Sequence, residues 1–134
     1  MSSTSQYQIL IVDDHHDNRR LLRHMMEKLV DAKVWEATNG NEAIHLWRQW
    51  RPQLIWMDLQ MPEVSGYEAT RSIRLEEQQA DPAIISPTVI IALTGQAYAE
   101  DCDRALDAGC NDFISKPFQI QTVLDAIAKH LGNR

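Results

Sequence analysis

A doubly wound α/β fold, with five parallel strands in one sheet and helices on both faces, is what this chain predicts. Three observations carry that expectation. Five apolar runs of strand length alternate without a break with five stretches of helical periodicity. Runs such as Ile9-Leu10-Ile11-Val12 and Leu54-Ile55-Trp56-Met57 are apolar throughout rather than alternating, as strands covered on both faces are. Finally, Asp13-Asp14 follow the first run, Asp58 follows the third, and Lys116-Pro117 follow Phe113-Ile114. The strands of a parallel sheet end along one edge, so charges far apart in sequence meet there.

The elements follow in order. Gln8 to Val12 is the first strand, and Asn18 to Val30 is a helix with Leu21, Leu22, Met25, Met26, Leu29 and Val30 at helical spacing. Lys33 to Ala37 is a short second strand, with Asn39-Gly40 as a turn after it. Glu42 to Trp50 is a helix that stops before Pro52, and Leu54 to Met57 is the third strand. Glu68 to Leu75 is the third helix, and the polar stretch Glu76 to Pro87 is its end plus an exposed loop. Thr88 to Leu93 is the most strand-like segment of all. Ala97 to Ala108 is a helix closed by Gly109, Asn111 to Ile114 the fifth strand, and Ile120 to Leu131 the last helix. Residues 1–7 are expected to be a disordered N-terminal segment and residues 8–132 one domain, with no repeat, linker or second domain among the 134 residues.

Composition narrows the function. A net charge of −6 argues against a nucleic-acid surface. Arg19, Arg20 and Arg23 form the densest basic group, read as a solvated helix face or else a docking surface. No apolar run approaches the ~20 residues needed to span a bilayer, and no signal peptide opens the chain. Cys102 and Cys110 form neither a zinc nor a redox motif and are expected to be reduced thiols, in keeping with a cytoplasmic location.

Carboxylates crowded into one pocket repel, and the usual escapes are a raised pKa or a bound cation. A lysine at the same edge points to a phosphate or phosphoryl group. The segments I-L-I-V-D-D, M-D-L-Q-M-P-x-x-S-G, A-L-T-G and S-K-P-F, in that order and strand context, resemble the receiver domains of two-component response regulators from about Gln8 to Leu131. M-D-L-Q-M-P together with E-A-T-R-S-I-R is most similar to receivers of hybrid sensor histidine kinases.

That resemblance implies a flavodoxin-like (βα)5 sheet with strand order 2-1-3-4-5. It makes Asp58 the phosphoacceptor, a carboxylate being a competent nucleophile for phosphorus. It also implies Mg²⁺ held by Asp13, Asp14, Asp58 and the backbone carbonyl of Gln60, in keeping with that ion's preference for oxygen ligands. Lys116 would pair with a phosphoryl oxygen, next to a cis Lys116-Pro117 bond, and the Thr94 hydroxyl would reach the same group. Thr94 and Phe113 are the implied switch pair, although Phe113 also reads simply as buried core. Asp14 is further expected to help open the first helix.

The implied partner is a histidine kinase or a histidine phosphotransfer protein, docking near the first helix and the Pro117-Phe118 loop. The output would be a shift of the face made by helix four, strand five and helix five, through which a homodimer is possible. No nucleic acid or membrane contact is expected. Receivers are phosphorylated signalling domains, not enzymes acting on other substrates.

Two other classes stand beside this one. A haloacid-dehalogenase-like phosphatase would use Asp58 as nucleophile but needs an acid two residues on, where this chain has Gln60. A flavodoxin-like cofactor binder would need a phosphate loop after the first strand, where two acids stand instead. His15 and His16 are read as solvent-facing rather than as a transition-metal pair, and His24, His45 and His130 as surface residues. The four tryptophans are read as core and edge packing, Gly66 as loop geometry, and Gly95 as a residue that loosens the turn after strand four.

Overall fold

The structure is a computed structural model that describes residues 7–81, 86–95 and 99–132. Its elements are β1 (Tyr7–Val12), α1 (His16–Leu29), β2 (Ala32–Ala37), α2 (Gly40–Trp50), β3 (Leu54–Asp58), α3 (Gly66–Gln79), β4 (Val89–Thr94), α4 (Ala99–Ala108), β5 (Asp112–Ser115) and α5 (Ile120–Leu131). The strands are all parallel, in the order β2-β1-β3-β4-β5.

Successive residues of a strand face opposite sides of the sheet, so each central strand feeds two cores. Leu10, Val12, Ile55 and Met57 pack with Trp47 of α2, Ile73 of α3 and Ala105 of α4. Ile9, Ile11 and Trp56 pack instead with Leu22 and Met26 of α1 and Val123 and Ile127 of α5. Every residue of β3 is buried, which is why that run shows no alternation. At roughly 1.5–3 kcal/mol for each large apolar side chain, the two layers supply the main force holding the strand ends in place. Trp47 and Trp56 are fully buried, whereas Trp35 and Trp50 stack at the sheet edge with centroids 4.9 Å apart.

Several boundaries differ from the sequence reading. Tyr7 is not part of a disordered segment: it opens β1 opposite Ala32, and its hydroxyl donates to Leu131 O at 3.4 Å. Residues 1–6 lie outside the described residues. Asn39-Gly40 starts α2 rather than forming a separate turn, because the Asn39 side chain accepts from Glu42 N at 2.8 Å. Helix α3 opens two residues earlier than expected, on a capping box between Ser65 and Glu68, and the helix end expected from Glu76 reaches Gln79, four residues past the exposed Leu75. Glu76 and Glu77 sustain that polar turn through Arg48 and Arg74.

β4 and β5 each end one residue later than expected, since Thr94 pairs with Ser115. The expected start of α4 at Ala97 lies outside the described residues. Gly109 closes α4 with φ +116°, and the bonds Gly109 N to Leu106 O and Cys110 N to Ala105 O make the predicted C-cap a Schellman motif. Among the described residues, no helix is long and apolar enough to cross a membrane.

Candidate functional site

The switch point of a doubly wound sheet lies between neighbouring strands whose helices go to opposite faces, here β1 and β3. Asp13 directly follows β1, and its N–H donates to Ala37 O at 3.1 Å, continuing the ladder with β2. Asp58 is the last residue of β3, held in register as Leu59 N donates to Leu93 O at 3.2 Å. Both carboxylates are buried, Asp13 wholly and Asp58 to 3% exposure. Thr94 is the last residue of β4 and is also buried. Lys116 follows β5, with its N–H donating to Thr94 O at 2.8 Å, and the Lys116-Pro117 bond is cis.

Four residues remote in sequence, Asp13, Asp58, Thr94 and Lys116, thus share one edge. Lys116 Nζ stands 3.1 Å from Asp13 Oδ2 and 3.3 Å from Asp58 Oδ1. Asp13, Asp14, His15 and Asp58 each offer a ligand atom within 4.8 Å of the others. Asp58 Oδ1 also accepts from Gln60 N at 3.2 Å, whereas Asp58 Oδ2 is buried with no hydrogen-bond partner.

One ammonium does not balance this concentration of charge. Burial, and after it the charge of Asp13, push the Asp58 carboxyl up to about 6, against the opposing pull of Lys116 and the Gln60 N–H. A buried carboxylate oxygen without a partner is costly unless a cation or another positive group meets it. The three carboxylates supply hard oxygens, donors of the kind that suit Mg²⁺.

The neighbourhood is more tightly built than the sequence reading allowed. Arg19 is not simply a solvated residue: its Nη1 donates to Asp13 O at 2.9 Å and its Nε pairs with Glu36 at 3.0 Å. Arg23 reaches the same glutamate, while Arg20 is exposed. Burial alone would raise Glu36, but hydrogen bonds from Arg23 and Arg19 prevail and hold it below the ordinary carboxylate range. Asp14 does not cap α1; His15 occupies the N-cap and makes no side-chain cap bond. Asp13 Oδ1 instead accepts from His15 N at 2.9 Å.

Gly66 does more than shape a loop, since a Cβ there would lie 2.1 Å from Asp58 O. Gly95 meets nothing within 4 Å, so no steric demand selects glycine there. His130 is not a free surface residue: its Nε2 lies 2.9 Å from Asp112 Oδ2. Phe113 is half-buried against the α2–α3–α4 core, one strand beyond Thr94. Both cysteines are free and buried.

Sheet order, the paired acids after β1, the acid ending β3 and the lysine after β5 together define a signalling receiver. Residues 9–128 match the response regulator receiver domain family, and the chain belongs to it. It is 34% identical over 128 residues to the polar-differentiation response regulator DivK of Brucella anthropi, covering 93% of this chain and 96% of that one. A chain in the co-crystal structure of the Saccharomyces cerevisiae histidine phosphotransfer protein Ypd1 with the receiver domain of Ssk1 superposes with a TM-score of 0.85. That chain is 33% identical, with 93% of this chain and 88% of that one covered. The receiver domain of the sensor histidine kinase PA1611 from Pseudomonas aeruginosa PAO1, solved with a magnesium ion in its active-site cleft, is 30% identical with a TM-score of 0.82. It is covered fully, against 96% of this chain.

Proposed function

We propose that this receiver domain accepts a phosphoryl group on Asp58 from a phosphohistidine of a histidine kinase or a histidine phosphotransfer protein. The observation that carries this is the buried, unpartnered Oδ2 of Asp58 beside the Lys116 ammonium and Asp13. An Asp58 carboxylate oxygen attacks phosphorus, the P–N bond breaks, and the imidazole leaves with the electron pair as an acyl phosphate forms. Lys116, already 3.3 Å from Asp58 Oδ1, is positioned to follow the charge onto a phosphoryl oxygen. Asp13, Asp14, Asp58 and the Gln60 carbonyl would hold Mg²⁺. When bound, that ion neutralises charge between the acceptor and the incoming phosphoryl oxygens.

Phosphorylation adds roughly two negative charges and strong acceptor oxygens at the ends of β3 and β4. The Thr94 hydroxyl, on the adjacent strand end, turns to the new group, and the half-buried Phe113 follows into the space released. The result is a population shift of the α4–β5–α5 face, which a partner or a second copy reads. The α1 end and the Pro117-Phe118 loop flank the acceptor and form the donor's approach. The phosphatase alternative is disfavoured, since Gln60 turns its backbone N–H, not an acid, toward Asp58. Incubation with a radiolabelled phosphohistidine donor or acetyl phosphate in Mg²⁺ is expected to label the wild type and not Asp58→Asn. Label retained by that variant refutes the assignment.

A further inference from the structure

The acidic pocket contains a nitrogen donor. His15 Nδ1 lies 3.1 Å from Asp14 Oδ1 and 3.4 Å from Asp13 Oδ1, and it belongs to the set of four ligand atoms lying within 4.8 Å of one another. Two donors bound at about 2.1 Å to one ion, and at right angles to each other, stand about 3 Å apart. The ring therefore sits at the spacing of a neighbouring ligand.

A separate observation calls for a cation in the same place: Asp58, 3% exposed, gives the cluster a carboxylate oxygen and keeps a buried Oδ2 with no hydrogen-bond partner. The His15 side chain is 70% exposed, so its nitrogen is open to an arriving ion. His16 is adjacent in sequence but belongs to the first turn of α1 and lies outside the set. The pocket thus holds one imidazole rather than a histidine pair, and His15 is not merely the solvent-facing residue that the sequence reading made it.

We propose that His15 Nδ1 completes a mixed nitrogen–oxygen site that selects first-row transition dications such as Co²⁺, Ni²⁺ and Zn²⁺ over Mg²⁺, an inference that rests on the cation reading above. Magnesium gains little from an imidazole, because it prefers oxygen and retains its waters. Imidazole suits Zn²⁺ and Ni²⁺, and affinity along the first row rises steeply at sites with nitrogen donors. Ligation requires the neutral ring with its proton on Nε2. A protonated ring paired with Asp14 has the same separations but confers no preference among metals, and that difference can be measured.

Calorimetric titration of the whole chain with CoCl₂ and, separately, MgCl₂ at mildly alkaline pH tests this in the wild type, His15→Ala and His16→Ala. The visible spectrum of bound Co²⁺ gives a second readout, since losing a nitrogen ligand shifts it. His15→Ala is expected to weaken Co²⁺ binding by about tenfold or more, with Mg²⁺ binding held within about twofold. His16→Ala should change neither. Unchanged Co²⁺ binding in His15→Ala, or a parallel loss of both metals, overturns the selectivity while leaving the Mg²⁺ site standing. A wild type that binds neither metal overturns the cation reading itself, so the two failures are distinguishable.

Discussion

A methyl group placed on Gly66 would stand 2.1 Å from the carbonyl oxygen of Asp58, with Asp58 C and Leu59 Cα each at 2.9 Å. The first turn of α3 is therefore pressed against the backbone of the candidate acceptor. Only a residue without a side chain permits that approach. The bond from Gly66 N to Leu59 O at 3.2 Å closes the contact from the other side. Because the clash is backbone on backbone, no rotamer change relieves it.

Gly66→Ala is expected to lower stability by about 1–3 kcal/mol, the range for overpacking, and to slow phosphoryl labelling because Asp58 moves with its backbone. Urea denaturation and the initial labelling rate measure the two effects. A variant with the wild-type urea midpoint and labelling rate would mean that α3 slides freely along the end of β3.

Asp58 predicts a pH dependence with a definite sign. Its carboxyl is raised from the usual 3.8 to about 6, first by burial and then by Asp13. Between those values the folded metal-free protein binds more protons than the unfolded chain, so stability falls as pH rises through the window. Above it, ionised Asp58 costs the fold its full penalty. Asp58→Asn is therefore expected to gain about 1–3 kcal/mol at neutral pH in EDTA, and its advantage should shrink toward pH 4. Denaturation of both proteins across that range gives the difference directly. An Asn variant less stable than the wild type at neutral pH contradicts the charge burial.

Lys116 is the counterweight. Its ammonium lies 3.1 Å from Asp13 and 3.3 Å from Asp58, and it opposes the rise at Asp58. Lys116→Met removes that charge and keeps most of the stem. The Asp58 carboxyl should then titrate above about 6 in metal-free protein, since burial and Asp13 act without opposition. Carbon-13 NMR of the carboxyl follows this directly. An unmoved or lowered titration means that the ammonium lies elsewhere in solution.

The sequence carried the site's outline because parallel strands order their own ends. Val12, Met57 and Ile114 close apolar runs, so whatever polar residue follows must reach the same edge. What it concealed were pairings that depend on three dimensions. Glu36 looks like any strand-end acid until α1 lays Arg19 and Arg23 across it. His15 looks like a solvent residue until Asp13 draws its backbone N–H inward.

The polar end of α3, expected from Glu76 onward, had no marked stopping point at Gln79 for a related reason. Periodicity registers apolar faces, whereas Glu76 and Glu77 are held by arginines one turn or one helix away. Thr88 gave no signal beyond strand propensity, yet its hydroxyl accepts from the buried Trp47 Nε1 at 2.9 Å and donates to Pro52 O at 3.2 Å. Such a bond joins α2 to the residue just before β4, a contact that no local pattern encodes.

Asp112, at the start of β5, ties two elements of the proposed output face together. Its Oδ2 lies 2.9 Å from His130 Nε2 on α5, and its Oδ1 accepts from Phe113 N at 2.8 Å. Burial alone would raise this carboxyl, but the bonds from His130 and the Phe113 N–H outweigh it and hold the group below its usual 3.8. A lowered carboxyl stabilises the fold above its unfolded pKa, and that contribution disappears as pH falls through the folded value. Asp112→Asn should therefore cost about 1 kcal/mol near neutrality, and the gap from wild type should close below about pH 4. His130→Ala should cost less, because the Phe113 N–H keeps its acceptor. The two changes together should cost less than their sum, since they remove one shared contact. Urea midpoints of the four proteins from acid to neutral pH measure all of this, and a gap that stays constant with pH removes Asp112 as the link between α5 and the backbone of Phe113.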